Sequence, residues 1–381
     1  MLALIAVCIA SRSSAAQDAS TERPSNTTAS TSGQDSSGTQ QNSSTNKKPS
    51  RNGSFVFAPL PISSPAIGSG IVPVVGYIFS PNPKDSVSPA SVIGAAGVAT
   101  DNGTRALFIG GDFYFKQDTY EIKSAFGKGN LNYDIYRESD AGFKLPLKQK
   151  GQVFFASVSR RVGWQFFVGL RGLAGNSLLT VRQNDNTTVP IPADVGLTTA
   201  LSSVGLQVTR DTTPNRFYPA SGTNFLFTGD FFSQALGSKY SFQAYNASFS
   251  EYWSLTGAQV LAYNAFFCAT GGSPPFYGNC IYGARNQLRG YTAGRYFTQY
   301  SLATQVEYRL ELPWRFGFVA FGGIGGAIPG SNQVYGAERF LPSGGAGLRF
   351  QLSKQYHLNL RADVAQGRDG HTFALGVGEA F

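Results

Sequence analysis

Apolar and polar residues alternate with a period of two over much of the C-terminal third of the chain. In 305–312, 348–353 and 356–364, one set of positions is aliphatic or aromatic, and the other carries mostly charged or amide side chains. A period of two places the two sets on opposite faces of a β-strand. Because charge recurs on the polar face of strand after strand, the pattern favours a wide antiparallel β-barrel with an apolar outside and a wet lumen.

Turn signals such as Asp101-Asn102-Gly103 divide the chain from about residue 66 onward into strand-length segments. Single-chain outer-membrane barrels have an even number of strands, so we predict an all-β transmembrane barrel of sixteen antiparallel strands. One strand is merged with these segments or missing from them. If the first segment enters from the periplasm, 80–90 is an outer loop and 101–104 an inner turn. The fifteen segments are 68–79, 91–100, 105–115, 119–136, 141–161, 164–181, 198–212, 221–233, 239–255, 257–270, 302–313, 316–328, 343–353, 355–365 and 371–381.

Composition supports strands and turns rather than helices. The chain contains 45 Gly, 30 Phe and 18 Tyr, whereas only 14% of its residues are charged, and long helices need other residue types. Beyond the N-terminus there is no apolar run of about 18 residues, which excludes a helical membrane span. The mean hydropathy of -0.12 suits a barrel, in which every second residue of a strand can face water.

The segments before the barrel have a different character. Residues 1–16 resemble a secretory signal peptide, with a short apolar run at 2–10 and small residues at Ser14-Ala15-Ala16. Residues 17–54 are rich in Ser, Thr, Asn and Gln, and we predict that they form a disordered tail in the periplasm. The barrel is expected to occupy 55–381 of a bacterial outer-membrane protein, in contact with outer-membrane lipids and lipopolysaccharide.

Charge and cysteine content exclude some functions. The formal net charge is +9, but Lys and Arg are scattered singly along the strands, which argues against nucleic-acid binding. Cys268 and Cys280 flank a Gly- and Pro-rich stretch, a pattern that suits a disulfide in an oxidising compartment. Two unpaired thiols are the alternative.

Motifs of known enzymes are missing. The chain has two histidines, His357 and His371, and neither G-x-S-x-G nor H-E-x-x-H occurs. We therefore predict no catalytic residues, no cofactor and no metal site. A site of scattered Ser, His and Asp side chains, brought together only by folding, would escape this test.

The stretch Leu288-Arg289-Gly290-Tyr291 resembles the (V/L)-R-G-(F/Y) signature of the sixth outer loop in BamA, TamA and two-partner secretion transporters. The resemblance implies that 271–301 folds back into the lumen, where the arginine contacts acidic residues of the wall. A guanidinium inside a barrel needs a carboxylate, which it can bind through two parallel bonds. The acidic residues available on the next strand are Glu307 and Glu311.

A second stretch resembles the D-x-R-D…P-x-x-G hairpin of the same family, with ordinary turn chemistry as the alternative. Its signature residues are Arg210, Asp211, Pro219 and Gly222, and Arg210 and Asp211 are expected to pair locally.

Two departures from the family pattern are visible in the sequence. Ala320 stands where the family usually has an Asp that helps to hold the loop arginine, so contact is expected to rest on Glu307 alone or to be looser. The tail 17–54 is too short for POTRA domains, the periplasmic modules that receive client chains.

The family resemblance implies that the barrel assists insertion or translocation of proteins at the outer membrane, with unfolded outer-membrane proteins as clients. In that family the seam between the first and last strands can part. Weak pairing is expected here from Gly68 and Gly70 in the first segment and from Gly376 and Gly378 before Phe381, although glycines that merely curve the barrel are the alternative. Glu379 stands where an apolar residue is more usual. A gated or passive pore is the alternative function, and a surface scaffold is a third. The sequence does not indicate the oligomeric state of the barrel.

Overall fold

In a computed structural model, the chain forms a closed antiparallel barrel of sixteen strands, which confirms the predicted fold class. The described residues are 53–64, 67–82, 84–85, 87–136, 144–182, 197–283, 288–292, 295–328, 330, 338–354 and 357–381. The predicted signal peptide and almost all of the predicted tail lie outside them. No helix among the described residues is long and apolar enough to cross a membrane.

Each strand pairs with the next along the chain, and the last pairs with the first. Between the strands, the described residues include three single 3-10 turns, Gln234–Leu236, Phe276–Gly278 and Pro313–Arg315. The barrel strands are β1 Ser54–Ser64, β2 Gly68–Phe79, β3 Ser91–Thr100, β4 Arg105–Phe115, β5 Tyr120–Tyr136, β6 Lys144–Arg161, β7 Phe166–Val181, β8 Leu197–Asp211, β9 Gly222–Phe232, β10 Phe242–Thr256, β11 Gln259–Gly272, β12 Tyr300–Glu311, β13 Phe316–Ile328, β14 Glu338–Ser353, β15 Leu358–Gly367 and β16 Gly370–Val377.

The strand that the sequence pattern missed is β1. It contains Pro59 and Pro61, and prolines argue against a strand in the middle of a sheet. The extra strand reverses the direction assigned to every later strand. Residues 80–90 therefore lie at the end of the barrel where β1 begins and β16 finishes, here called the terminal end. The turn 101–104 lies at the opposite end, called the loop end, so the sides predicted for these two connections rested on a strand count that the structure corrects.

The two faces of the wall differ as the alternation predicts. Leu170 and Leu348 are 69% and 63% exposed on the outward face, whereas charged side chains on the inward face are buried. Trp164 and Trp314, in turns at the terminal end, are 88% and 89% exposed. Exposed aromatic residues at the rim of an apolar wall are typical of the girdle that marks a membrane boundary.

The described residues of the connection between β11 and β12, here called the long loop, lie inside the lumen at the loop end, which confirms the predicted position. Its residues Cys280–Ile281 and Phe297–Thr298 pair as a two-residue ribbon. Tyr277 and Phe297 pack against inward apolar side chains of β3 to β7. A disulfide joins Cys268 in β11 to Cys280 and ties the start of the loop to the wall, so the alternative of unpaired thiols does not hold in this structure.

Candidate functional site

Arg289, near the tip of the long loop, is buried against the inner wall. Its guanidinium Nη2 lies 2.5 Å from Glu307 Oε2 on β12, and its Nη1 lies 3.1 Å from Asp363 Oδ2 on β15. Its Nε donates to Gln305 Oε1 at 3.2 Å. The guanidinium carbon lies 3.4 Å from the centroid of the Phe321 ring on β13. Three strands therefore contribute to one arginine site, with two carboxylates and an aromatic face.

Glu307 has a second cationic partner, Arg309, which lies two residues further along the same inward face. Arg309 Nε donates to Glu307 Oε1 at 2.6 Å. Its other nitrogens donate to the carbonyl oxygen of Pro219 at 3.0 Å and to the backbone O atom of Phe381 at 3.1 Å. Arg309 thus connects the β8–β9 turn and the C-terminal residue to the strand that holds the loop arginine.

Asp363 also has a second partner, and this partner leads to the segment after β16. Arg349 on β14 donates to Asp363 Oδ1 at 2.6 Å and to Glu379 Oε2 at 2.8 Å. Asn359 donates to Glu379 Oε1 at 2.8 Å. Gly378 has a φ of +82°, a left-handed conformation that turns the chain at this point. Glu379 therefore lies in the lumen, which explains why the sequence departs from an apolar residue at that position.

These contacts form one continuous ion network between the loop tip, the wall and the C-terminal segment. All of its charged members are buried. A buried charge is tolerated when it is paired, and removing one partner of such a pair is strongly destabilising. The loop position is therefore coupled to the position of the last strand. The ion network consists of Arg289, Glu307, Arg309, Arg349, Asp363 and Glu379.

The backbone of the loop tip fits closely against the wall. Leu288 is buried with Tyr282 and Tyr291, and Tyr291 Oη donates to the Pro342 carbonyl oxygen at 2.6 Å. Gly290 has a φ of +97°, and a Cβ added there would lie 2.9 Å from the backbone nitrogen of Gly367. Both the left-handed conformation and the close approach require glycine at this position.

We expect Gly290→Ala to release the loop tip while the barrel remains folded. The left-handed backbone and the clash together cost roughly 1–3 kcal/mol. Limited proteolysis of the folded barrel should then cut within 271–301, and we expect the wild-type chain to resist cleavage there. The matched control is Gly257→Ala, because Gly257 has no atom within 4 Å of an added Cβ. Equal resistance of Gly290→Ala and wild type would contradict a tightly fitted tip.

The second predicted motif also lies near the ion network. Pro219 contributes its carbonyl oxygen to Arg309, and Gly222 adopts a φ of +92°. Arg210 donates to Thr223 Oγ1 at 2.5 Å, whereas Asp211 Oδ2 lies 2.9 Å from Arg216 Nε. The expectation that Arg210 and Asp211 pair with each other was therefore wrong. The two side chains of adjacent strand residues point to opposite faces.

The described part of the seam between β1 and β16 is short. Among the described residues, the only registered pair across it is Ser63 with Leu375. On its other side β1 pairs with β2 along its whole length, and β16 pairs with β15 from Gly370 to Val377. Because the chain turns inward after β16, the terminal-end part of β1 has no registered partner on its seam side among the described residues.

Prolines in β1 further weaken the seam. Pro59 lies opposite Pro73 of β2, and neither residue has an N–H, so this pair is not hydrogen-bonded. The backbone groups of Pro59 therefore face the seam. Those of Pro61 and Ser63 do so as well, because the backbone N–H and C=O groups of successive residues point alternately to the two sides of a strand. Two donors are thus missing from the edge that would pair with β16.

Four of the five residues predicted for the seam need correction, because only Gly376 lies in a strand that borders it. Gly68 and Gly70 lie in β2, one strand away from it, because β1 was not recognised. Gly376 lies in β16, opposite Arg361 of β15. Gly378 and Phe381 follow β16 and belong to the inward turn. The Phe381 ring lies 5.8 Å and 5.9 Å from the guanidinium carbons of Arg309 and Arg289.

A family model described as the Omp85 superfamily domain matches residues 106–381. The chain belongs to the Omp85 superfamily. Similar solved structures are BamA from Haemophilus ducreyi lacking POTRA domains 1-3, and CdiB from Acinetobacter baumannii and from Escherichia coli. Their sequence identities are 15%, 14% and 12%, with TM-scores of 0.59, 0.55 and 0.56. No curated protein sequence matches.

The matches cover 85% of this chain for BamA and for the Acinetobacter CdiB, and 84% for the Escherichia CdiB. They cover 70% of the BamA chain, but only 59% and 61% of the two CdiB chains. This Omp85 barrel therefore spans about three fifths of the length of the CdiB proteins. The comparison confirms the predicted family and the barrel fold.

Two expectations about the arginine contacts in this Omp85 barrel were wrong. Glu311 is not near the loop tip; its Oε1 lies 2.9 Å from His357 Nε2 at the terminal end. The side chain of Ala320 does not face the lumen, because it points outward between the inward side chains Val319 and Phe321. The alanine at this position therefore removes no lumen contact of Arg289. The contact does not rest on Glu307 alone, since Asp363 supplies the second carboxylate.

Sequence reasoning placed Asp363 on a polar strand face but did not connect it to the loop. The signal available was its position among charged residues on the alternating strand 356–364. Which wall position meets the loop depends on register across four strands, and that register appears only in the folded barrel. Among the described residues, no group of three His, Cys, Asp or Glu could hold a metal ion.

Proposed function

We propose that this Omp85 barrel assists the insertion or translocation of proteins at the outer membrane. The observation that carries the proposal is the seam, at which the described residues of β1 and β16 share one registered pair, Ser63 with Leu375. Inside a bilayer, every unpaired backbone N–H and C=O group costs several kcal/mol. A barrel that keeps a partly unpaired strand edge in the membrane therefore has a strong tendency to accept another strand there.

The free edge of β1 fits an incoming strand. Phe55 and Phe57 are 79% and 72% exposed, so apolar side chains are available beside unpaired backbone groups. Pro59 and Pro61 have backbone carbonyl oxygens that can accept hydrogen bonds but no N–H groups that can donate them. Permanent pairing of β1 with β16 is therefore weakened. A client strand could form temporary pairs along β1 and later exchange them for pairs within its own barrel.

The ion network supplies a way to control the seam. Glu379 and Phe381 are held in the lumen by Arg349 and Arg309, and the same carboxylates that bind these arginines bind Arg289. When the loop tip is in place, the end of the chain stays turned away from β1. Loss of the loop contact would allow the last strand to extend and pair with β1, which would close the edge to clients.

The expected partners are unfolded outer-membrane proteins, with outer-membrane lipids and lipopolysaccharide around the wall and the N-terminal tail in the periplasm. Nucleic acid is not an expected partner. A gated pore is the competing function, and the charged residues buried along the inner wall support it. The two differ because a pore needs only its lumen, whereas an insertase needs its seam.

The test is reconstitution of the full chain in liposomes, followed by addition of a separate unfolded barrel protein. We expect the client to fold faster than in liposomes containing a closed-seam porin, with low ion conductance. Folding at the rate of the porin control, together with steady conductance, would contradict the proposed insertion function and support the pore.

A further inference from the structure

A groove of about 500 Å³ lies on the outside of the wall at the terminal end. One side is formed by described residues of the loop 80–90, and the other by Tyr114 and by outward residues of β4, β5 and β6. Phe115 is registered with Tyr120, and Ile122 with Val158, so these four side chains share one outward patch. Val158 is 52% exposed. The groove therefore continues directly into the apolar surface that faces the bilayer.

The loop 80–90 is clamped onto the β4–β5 turn. Asp85 Oδ2 accepts from the backbone N–H of Gln117 at 2.8 Å, and Ser88 Oγ accepts from that of Asp118 at 2.7 Å. Lys116, Gln117 and Asp118 have φ values of 52°, 57° and 60°. Three consecutive non-glycine residues in the left-handed region are unfavourable without support. The bonds from the loop supply that support and fix where Lys116 points.

Two cations lie next to Tyr120, which lines the groove together with Lys116. Lys116 Nζ lies 5.4 Å from the centroid of the Tyr120 ring. Arg160 is exposed and is the registered partner of Tyr120 on β6. In the described part of the chain, neither cation has a carboxylate within salt-bridge distance. The nearby acids are already paired, because Asp118 binds Arg161 at 2.8 Å.

Asp85 also does not compete for these cations. The backbone N–H and hydroxyl of Ser88 donate to its carboxylate and hold its pKa well below the ordinary value. The Asp85 carboxylate thus accepts hydrogen bonds from backbone N–H groups of the loop and of the β4–β5 turn. Lys116 and Arg160 remain available to an outside anion.

We propose that the groove binds an anionic glycerophospholipid from the leaflet at the terminal end, with its phosphate between Lys116 and Arg160 and an acyl chain along Ile122 and Val158. Long cationic side chains at a membrane boundary reach toward the headgroups while their stems cover apolar surface, and basic residues there attract anionic lipid. The exposed Trp164, in the neighbouring β6–β7 turn, marks the same boundary. This inference does not depend on the insertion function.

The test is native mass spectrometry of the delipidated full chain, titrated with phosphatidylglycerol or phosphatidylethanolamine. We expect one phosphatidylglycerol to bind in preference to phosphatidylethanolamine, and the double variant Lys116→Gln/Arg160→Gln to bind it about thirtyfold more weakly. The matched control is Arg105→Gln with Lys239→Gln, which removes two cations from the loop end. Glycerol phosphate without acyl chains should not displace the lipid.

Equal affinity of the double variant and the control variant for phosphatidylglycerol would overturn the proposal. So would equal binding of phosphatidylethanolamine by the wild type, or displacement by glycerol phosphate. A third variant, Val158→Asn, tests the apolar part of the groove, and it should weaken lipid binding without changing the two cations. Heat-modifiability of each variant on gels shows that it is folded.

Discussion

Replacement of Arg289 by Ala is expected to remove most of the acceleration of client folding while the barrel stays folded. Breaking a buried ion pair by removing one partner costs about 3–5 kcal/mol. Glu307 keeps Arg309, and Asp363 keeps Arg349, so we expect the lower end of that range. About 3 kcal/mol shifts the ratio of docked to released loop by roughly a hundredfold. The measurement is the client folding rate in liposomes, with loop proteolysis as the structural readout.

Two variants show whether this effect is specific. Arg289→Lys keeps the charge but loses the planar fork, so it should retain only part of the acceleration. Arg295→Ala removes another arginine of the same loop, whose side chain is 44% exposed and pairs with Asp369 at the loop end, and it should behave like the wild type. Full acceleration by Arg289→Ala, with its loop released, would show that the arginine contact has no part in function.

A disulfide across the seam, formed by Ser63→Cys and Leu375→Cys, is expected to stop clients from completing their folding. These residues are the registered pair between the described parts of β1 and β16, and facing residues of adjacent strands are close enough for a disulfide. A client strand could still contact the free part of β1, but the barrel could not open for release. The client folding rate should fall to that of liposomes without the protein.

The matched control for the seam disulfide uses the same first position. Ser63→Cys with Ser69→Cys joins β1 to β2, and the two serine Oγ atoms lie 2.8 Å apart in the wild type. This disulfide leaves the seam free, so it should preserve acceleration. Equal loss of activity in both disulfide variants would mean that rigidity of β1, rather than closure of the seam, is responsible.

The barrel could be predicted from sequence because a period of two, with charge on one face, is a local property of each strand. The missing strand β1 could not, because Pro59 and Pro61 obscure the pattern. Prolines are tolerated there since their missing N–H groups face a nearly unpaired edge. The feature that hid the strand is thus the one that weakens the seam.

The candidate site was only partly predictable. The motif around Arg289 indicated a buried arginine and one partner, Glu307, because both lie in recognisable sequence contexts. Asp363 and Glu379 lie 74 and 90 residues beyond Arg289 in sequence, and their contacts depend on barrel closure and on the turn at Gly378. The expectation for Ala320 was wrong for a related reason. A shift of one residue in strand register moves a side chain to the opposite face, so the alanine assigned to an inward position faces outward.

The most direct test of seam function measures one sample twice. Liposomes containing the Ser63→Cys/Leu375→Cys variant are assayed for client folding while oxidised, and again after reduction. The Ser63→Cys/Ser69→Cys variant receives the same treatment, which accounts for reduction of the disulfide between Cys268 and Cys280. We expect reduction to restore acceleration in the seam variant and to leave the control unchanged. Full acceleration by the oxidised seam variant would contradict a function that works through parting of β1 and β16.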